Sequence, residues 1–132
     1  MTSGYSGTPQ VRKLGIKAGA RVAVEHAAPG WALTDAPTIV DAAGGRADIL
    51  LRFVRSAAEL DDIASLGQRI FPDGALWIAW PRRAAGHVSD VTENAIREAA
   101  LPLGLVDVKV AAIDEDWSGL KIVWRTERRS PT

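Results

Sequence analysis

The 132-residue chain has no cysteine. That excludes disulfides, thiol nucleophiles, iron–sulfur clusters and thiolate zinc sites together. Histidine is nearly as scarce, so His26 and His87 are the only two candidate nitrogen ligands, and no metal site is expected. Neither charge sign is in excess: 16 Lys and Arg balance 16 Asp and Glu. This balance argues against a dedicated nucleic-acid binder and against a polybasic membrane anchor. No run approaches the ~20 apolar residues of a membrane span. Met1 to Gly7 carries neither the basic region nor the apolar stretch of a secretory signal, so a cytoplasmic location is expected. Neither an internal repeat nor a low-complexity linker interrupts the chain.

What is present fits one soluble globular domain over 1–132, with 1–8 and 127–132 expected to be flexible; 47% of residues are hydrophobic and 24% charged, near the globular average. The charge balance is uneven along the chain. Arg12, Lys13, Lys17 and Arg21 gather at the start and Lys121, Arg125, Arg128 and Arg129 at the finish, around a more acidic middle.

Pro9 to Leu14 predicts a short helix, with Pro9 at its first position and Gly15 past its end. Arg21–His26 and Thr38–Asp41 predict two short strands. Asp48–Val54 is apolar on both pleat faces except at Arg52, as in a central strand covered on both sides. Ser56 followed by Glu59 reads as a capping box, and Leu60, Ile63, Gly67 and Ile70 form a stripe that ends before Pro72-Asp73-Gly74. Ala75–Trp80 predicts the next strand. Ser89 or Asp90 is expected to cap a helix through Ile96 to about Leu101, closed by Pro102 and Gly104. Leu105–Ile113 alternates, with Val106, Val108, Val110 and Ala112 expected on one face. Leu120, Ile122 and Trp124 alternate likewise, and the short connection between the two segments predicts an antiparallel hairpin. The order implies an α/β fold, a three-layer Rossmann-like sandwich with a mostly parallel sheet and one reversed strand from the terminal hairpin.

This order, with its Pro72-Asp73-Gly74-Ala75-Leu76-Trp77 turn and strand and its final hairpin, resembles the second half of the class I S-adenosylmethionine-dependent methyltransferase fold. The first half departs from that family. Its glycine-rich cofactor loop is replaced by Glu25-His26-Ala27-Ala28-Pro29-Gly30, and Trp31–Pro37 is too short for a full crossover helix. Asp41 is the one candidate for the family's acidic residue after the second strand. As a set, Gly4-Tyr5-Ser6-Gly7-Thr8-Pro9, Lys13-Leu14-Gly15-Ile16-Lys17, Phe53-Val54-Arg55-Ser56, Trp77-Ile78-Ala79-Trp80-Pro81-Arg82, Thr92-Glu93 and Ala112-Ile113-Asp114-Glu115-Asp116-Trp117-Ser118-Gly119-Leu120 are similar to a small bacterial domain-of-unknown-function family, which implies a fold and no activity.

In open α/β sheets, ligands bind beyond the carboxyl ends of the strands. Those ends carry Glu25 and His26, then Arg55 and Ser56, then Trp80, Pro81, Arg82 and Arg83, and they are expected to converge. Together with Trp117, the residues Arg55, Ser56, Trp80 and Arg82 suit an anionic, stackable ligand such as a nucleotide. The alternative is that these arginines only solvate loop ends. His26 and Glu25 are the candidate bases of a minimal enzyme using S-adenosylmethionine or a nucleotide. No nucleophile elbow accompanies them, and the sequence assigns neither a cofactor nor a catalytic residue. Trp31, Trp80 and Trp117, at loops or strand ends, are a candidate stacking platform or partner patch, with plugging of the ends of a small core as the equal alternative, whereas Trp77 and Trp124 read as core. Asp114, Glu115 and Asp116 read as a solvated turn. Gly4–Pro9 is a weak anion-binding candidate. The favoured expectation is a non-catalytic module for a small anionic ligand or a protein partner. An oligomer formed through an edge strand or the tryptophans is a further possibility.

Overall fold

A computed structural model describes residues 10–33 and 38–129. Two apolar runs, β3 (Ile49–Phe53) and β4 (Ala75–Pro81), pair in parallel at the middle of a six-stranded sheet, Ile49 opposite Ala75 and Phe53 opposite Ala79. Every residue of β3 is buried, the pattern of a strand covered on both faces. On one side lie β1 (Arg21–Glu25) and the two-residue β2 (Val40–Asp41), both parallel to β3. On the other side β6 (Trp117–Trp124) runs antiparallel to β4, and β5 (Leu105–Ala112) pairs with β6 as the outer strand. The sheet order is β2-β1-β3-β4-β6-β5, so β6 is the one reversed strand.

Both faces are covered, by different means. Helices α2 (Ile63–Ile70) and α3 (Glu93–Ala100) lie on one face. Ile63, Leu66, Ile70, Ile96 and Ala100 pack there against Leu50, Leu76, Ile78, Leu120 and Ile122. The expected stripe therefore holds, with Leu66 added to it. The opposite face carries α1 (Gln10–Leu14) and the connection after β1, where Leu14, Trp31 and Leu33 pack with Leu51, Phe53, Trp77 and Ile113. Full burial of each such apolar side chain contributes about 1.5–3 kcal/mol, so these two clusters hold the sheet between its layers. Trp77 is wholly buried and Trp124 nearly so. Both indole N–H groups donate to backbone carbonyls, those of Leu14 and Gly67.

Three expectations are corrected. The segment opened by Ser56 starts as a 3₁₀ turn, Ala57–Asp62, and becomes α-helical only at Ile63. Its Glu59 carboxylate accepts from the backbone N–H of Arg55 and of Ser56 and from the Ser56 hydroxyl. The cap of α3 is Thr92, whose Oγ1 accepts from the Ala95 N–H at 3.0 Å. Asp90 instead accepts from the Ala57 N–H at 2.8 Å, and Ser89 donates to the Arg55 carbonyl, so both serve the neighbouring turn.

The third correction concerns β5. Val106, Val108, Val110 and Ala112 do not share a face, because the ladder to β6 slips between Asp107 and Lys109. Val108 is the extra residue of a β-bulge, and positions beyond it change sides. At the other end of the chain, Glu127 and Arg128 belong to a 3₁₀ turn (Thr126–Arg128), and Arg129 donates to the Trp124 carbonyl, which ties this stretch to β6. The Gly4–Pro9 segment lies outside the described residues.

Candidate functional site

Strand order reverses around β1: β2 lies to one side, while the chain returns to the other side for β3 and β4. A crevice at the carboxyl ends of β1 and β3 is where this topology offers a ligand site. Glu25 stands directly opposite Arg52 there. Its carboxylate accepts two bonds from Arg52, at 2.7 and 3.1 Å, and a further close bond from Arg69 of α2. Arg52 also donates to Asp62 at 2.6 Å.

Burial pushes the Glu25 carboxyl up, but the hydrogen bonds from Arg69 and Arg52 outweigh it and hold the group below the ordinary glutamate range. Burial likewise opposes the charge of Arg52, and its bonds to Glu25 and Asp62 overcome that, so the guanidinium is held more firmly protonated. A carboxylate so stabilised is a weak proton acceptor. Glu25 joins two strands and a helix instead of standing free as a base.

Above this network, His26 adopts φ 62°, in the left-handed region where a non-glycine residue is uncommon. Its carbonyl accepts from Arg55 at 2.9 Å, a bond that crosses from the end of β3 to the end of β1. The Arg55 guanidinium carbon also lies 5.2 Å from the Trp117 ring centroid, a cation–π distance. Phe53, the last residue of β3, meets Trp31 on one side and Trp117 on the other, each edge-to-face with centroids 4.8 Å apart. The Trp31 indole donates to Asp114 at 2.9 Å. Trp31 and Trp117 thus close over the strand ends with Phe53 between them, and do not stand open as a platform.

The turn Asp114–Asp116 is likewise occupied. Asp114 Oδ1 accepts from the backbone N–H of Asp116 and of Trp117, and Asp116 faces His87 Nε2 at 3.1 Å. Gln10 and Lys13 of α1 donate to the carbonyls of Ile113 and Ala112. Among the described residues, no three His, Asp or Glu side chains gather in a way that would hold a metal ion.

A separate cleft of about 360 Å³ opens beside the ends of β4 and β6, against the start of α3. Trp80, Arg82, Arg83, Thr92 and Ser118 are among its walls. Trp80 is 92% buried, being 8% exposed, and its indole N–H has no partner among the described residues. Arg82 is buried and committed to the Glu115 carbonyl at 3.0 Å. Arg83 is exposed, and its guanidinium bonds no described residue.

The expected convergence is therefore divided. Trp80 and Arg82 line the cleft, Arg55 and Trp117 form the aromatic closure, Ser56 serves the Glu59 turn, and Glu25 faces α2. Sequence reasoning missed Asp62 and Arg69, whose partnership with β1 follows only from the β1–β3 register. It also left Ser118 out of the site; the Trp80–Ser118 pairing places it there.

No family model and no curated protein matches the chain. Solved structures do match, and they define the fold: a Rossmann-like, methyltransferase-like sheet, mostly parallel and ending in an antiparallel hairpin. One is magnesium protoporphyrin IX methyltransferase from Synechocystis PCC 6803, solved with bound S-adenosylmethionine. It matches with a TM-score of 0.57 and 15% identity over 88% of this chain and 74% of that one. At that identity the likeness is one of fold.

The residues at the switch point do not fit that cofactor. Arg55 and His26 bridge the ends of β1 and β3, Trp31 packs over Phe53, and Glu25 is engaged by two arginines. An adenosyl group entering there would have to break these contacts.

Proposed function

We propose that this chain is a non-catalytic ligand-binding module on a methyltransferase-like framework, and that it takes a small anionic ligand in the cleft formed by Trp80, Arg82, Arg83, Thr92 and Ser118. The observation that carries the first half is the closure of the β1–β3 crevice by the Arg55–His26 bond and the Trp31–Phe53–Trp117 stack. The unpartnered Trp80 indole N–H and the exposed Arg83 guanidinium support the second, since both are donors and Arg matches carboxylate or phosphate oxygens in pairs. A volume of about 360 Å³ suits a small molecule.

Calorimetric titration tests both halves, with S-adenosylmethionine, S-adenosylhomocysteine, nucleoside monophosphates and small dicarboxylates as the probes. The expected result is no heat from the two adenosyl compounds and saturable binding of a nucleotide or dicarboxylate that Arg83→Ala weakens. Stoichiometric binding of S-adenosylmethionine overturns the reading. So does a panel in which nothing binds, or binding that Arg83→Ala leaves intact.

A further inference from the structure

We propose that a second cleft, at the opposite end of the sheet, binds a small phosphate-bearing molecule between the ammonium groups of Lys17 and Lys121. The cleft has a volume of about 600 Å³. It lies at the amino ends of β3 and β4, between the turn after α1 and the flank of β6. Gly15, Lys17, Asp48, Asp73, Gly74 and Lys121 are among its walls.

The distribution of lysine is the first argument. The chain has only four, Lys13, Lys17, Lys109 and Lys121, and the fold gathers them around the end of α1 from sequence positions up to about a hundred residues apart. Lys13 lies in the last turn of α1 and donates to the Ala112 carbonyl at 3.0 Å. Lys109 reaches the Lys13 carbonyl at 3.4 Å. Lys121 Nζ stands 4.0 Å from the point where a side chain on Gly15 would begin. Lys17 and Lys121 share the cleft wall.

Charge pairing is the second argument. Arginines account for the ion pairs of Glu25, Asp48, Asp62, Asp73, Glu93 and Asp107. Among the described residues, no carboxylate lies within ion-pairing distance of Lys17, Lys109 or Lys121. The two acids of the cleft are spoken for: Arg46 meets Asp73 at 2.9 Å and Asp48 at 3.7 Å, and Asp48 also accepts from the Arg21 N–H at 2.9 Å. With Arg46 counted beside Lys17 and Lys121, three cations face the two carboxylates Asp48 and Asp73, a small positive excess in a chain that is neutral overall.

An anion seated in this cleft would gain from two lysines that no carboxylate of the described residues pairs. Lysine ammonium groups act as compact point charges suited to phosphate, whose oxygens accept from several directions. The cleft has the size of a small-molecule pocket, and the neutral chain lacks the broad positive field that holds a nucleic-acid backbone.

The test is calorimetric titration of the whole chain with inorganic pyrophosphate at about 0.15 M salt, where exposed charges are well screened. A single-stranded oligonucleotide titration runs beside it. One pyrophosphate per chain is expected. Lys17→Ala with Lys121→Ala should weaken binding by roughly tenfold or more. Amide chemical shifts of Gly15, Gly19 and Gly74 should move on titration of the unaltered protein, which tests the location even if the double variant fails to fold. Absence of pyrophosphate binding overturns the proposal. So do undiminished binding in the folded double variant, shifts confined to other amides, and an oligonucleotide that binds where pyrophosphate does not.

Discussion

Arg69 in the last turn of α2 and Glu25 at the end of β1 form an ion pair that also spans a third segment. Arg69 Nε donates to the Gly45 carbonyl at 3.1 Å, and its remaining nitrogen donates to the Ala43 carbonyl, so one guanidinium fastens the β2–β3 connection to β1. Ala43 sits at φ 49° there. Replacing Arg69 by Ala leaves two carbonyls and half of a carboxylate without donors. The expected loss is about 2–4 kcal/mol by urea denaturation. Lys at this position should recover little, because a point charge cannot reach three acceptors in a plane.

The same network sets a pH dependence. Glu25 has its folded pKa depressed, so it contributes stability above its ordinary value of 4.5, and that contribution is lost as pH falls through the folded value. Glu59, also lowered from 4.5, and Asp107, lowered from 3.8 by its bond to Arg97, act in the same direction. Stability measured by denaturant titration should therefore fall steadily on acidification below pH 4.5. In Glu25→Gln the slope should be shallower but not flat, since Glu59 and Asp107 remain.

Trp31→Phe separates the two roles of that ring. Phenylalanine keeps an edge against Phe53 and removes the donor to Asp114. A loss of about 1 kcal/mol is expected for the hydrogen bond alone, and Trp31→Ala should cost clearly more. Equal effects of the two variants in thermal unfolding would show that the aromatic contact contributes nothing.

Two glycines are fixed by close approach. A Cβ on Gly74 would stand 2.7 Å from the Ala47 carbonyl oxygen and 2.9 Å from that of Ile70, both backbone atoms. One on Gly119 would meet Ile113 Cδ1 at 2.5 Å and Trp77 Cε3 at 3.0 Å, which are side chains. Gly74→Ala and Gly119→Ala should each destabilise by roughly 1–3 kcal/mol. The larger loss is expected at Gly74, where relief requires the main chain to move; unfolding midpoints of the two variants decide the order.

The strands and the α2 stripe were readable because burial on two faces leaves long apolar runs, as in Ile49–Phe53, and helical spacing leaves Leu60, Ile63, Gly67 and Ile70. The cap of α3 was not. Ser89, Asp90 and Thr92 are all good capping residues, and only the neighbouring 3₁₀ turn, which takes the Asp90 carboxylate, decides among them. Nor was the bulge in β5 readable. Leu105 and Ile113 are an even number of residues apart, which in a regular strand puts them on one face, yet they enter the cores on opposite faces of the sheet. Only the packing at both ends of the strand requires the inserted residue. Residue types at strand ends singled out Trp80 and Arg82, which line one cleft, whereas their division from Arg55 and Trp117 depends on side-chain direction.

The slip at Val108 also shapes the exposed margin of the sheet. An outer strand with unpaired backbone groups is a template for its own kind, and β5 exposes Val108 and Val110 along it. Two such strands brought together around Val108 would face Asp107 with Lys109, a pairing of opposite charges that the bulge forbids by turning these side chains to opposite sides. At the far margin, β2 offers only two residues. Deleting Val108 restores an even ladder, and the variant should self-associate more strongly than the unaltered chain, as measured by light scattering at matched concentrations. One surplus valine thus leaves the outermost strand without a regular margin along its length.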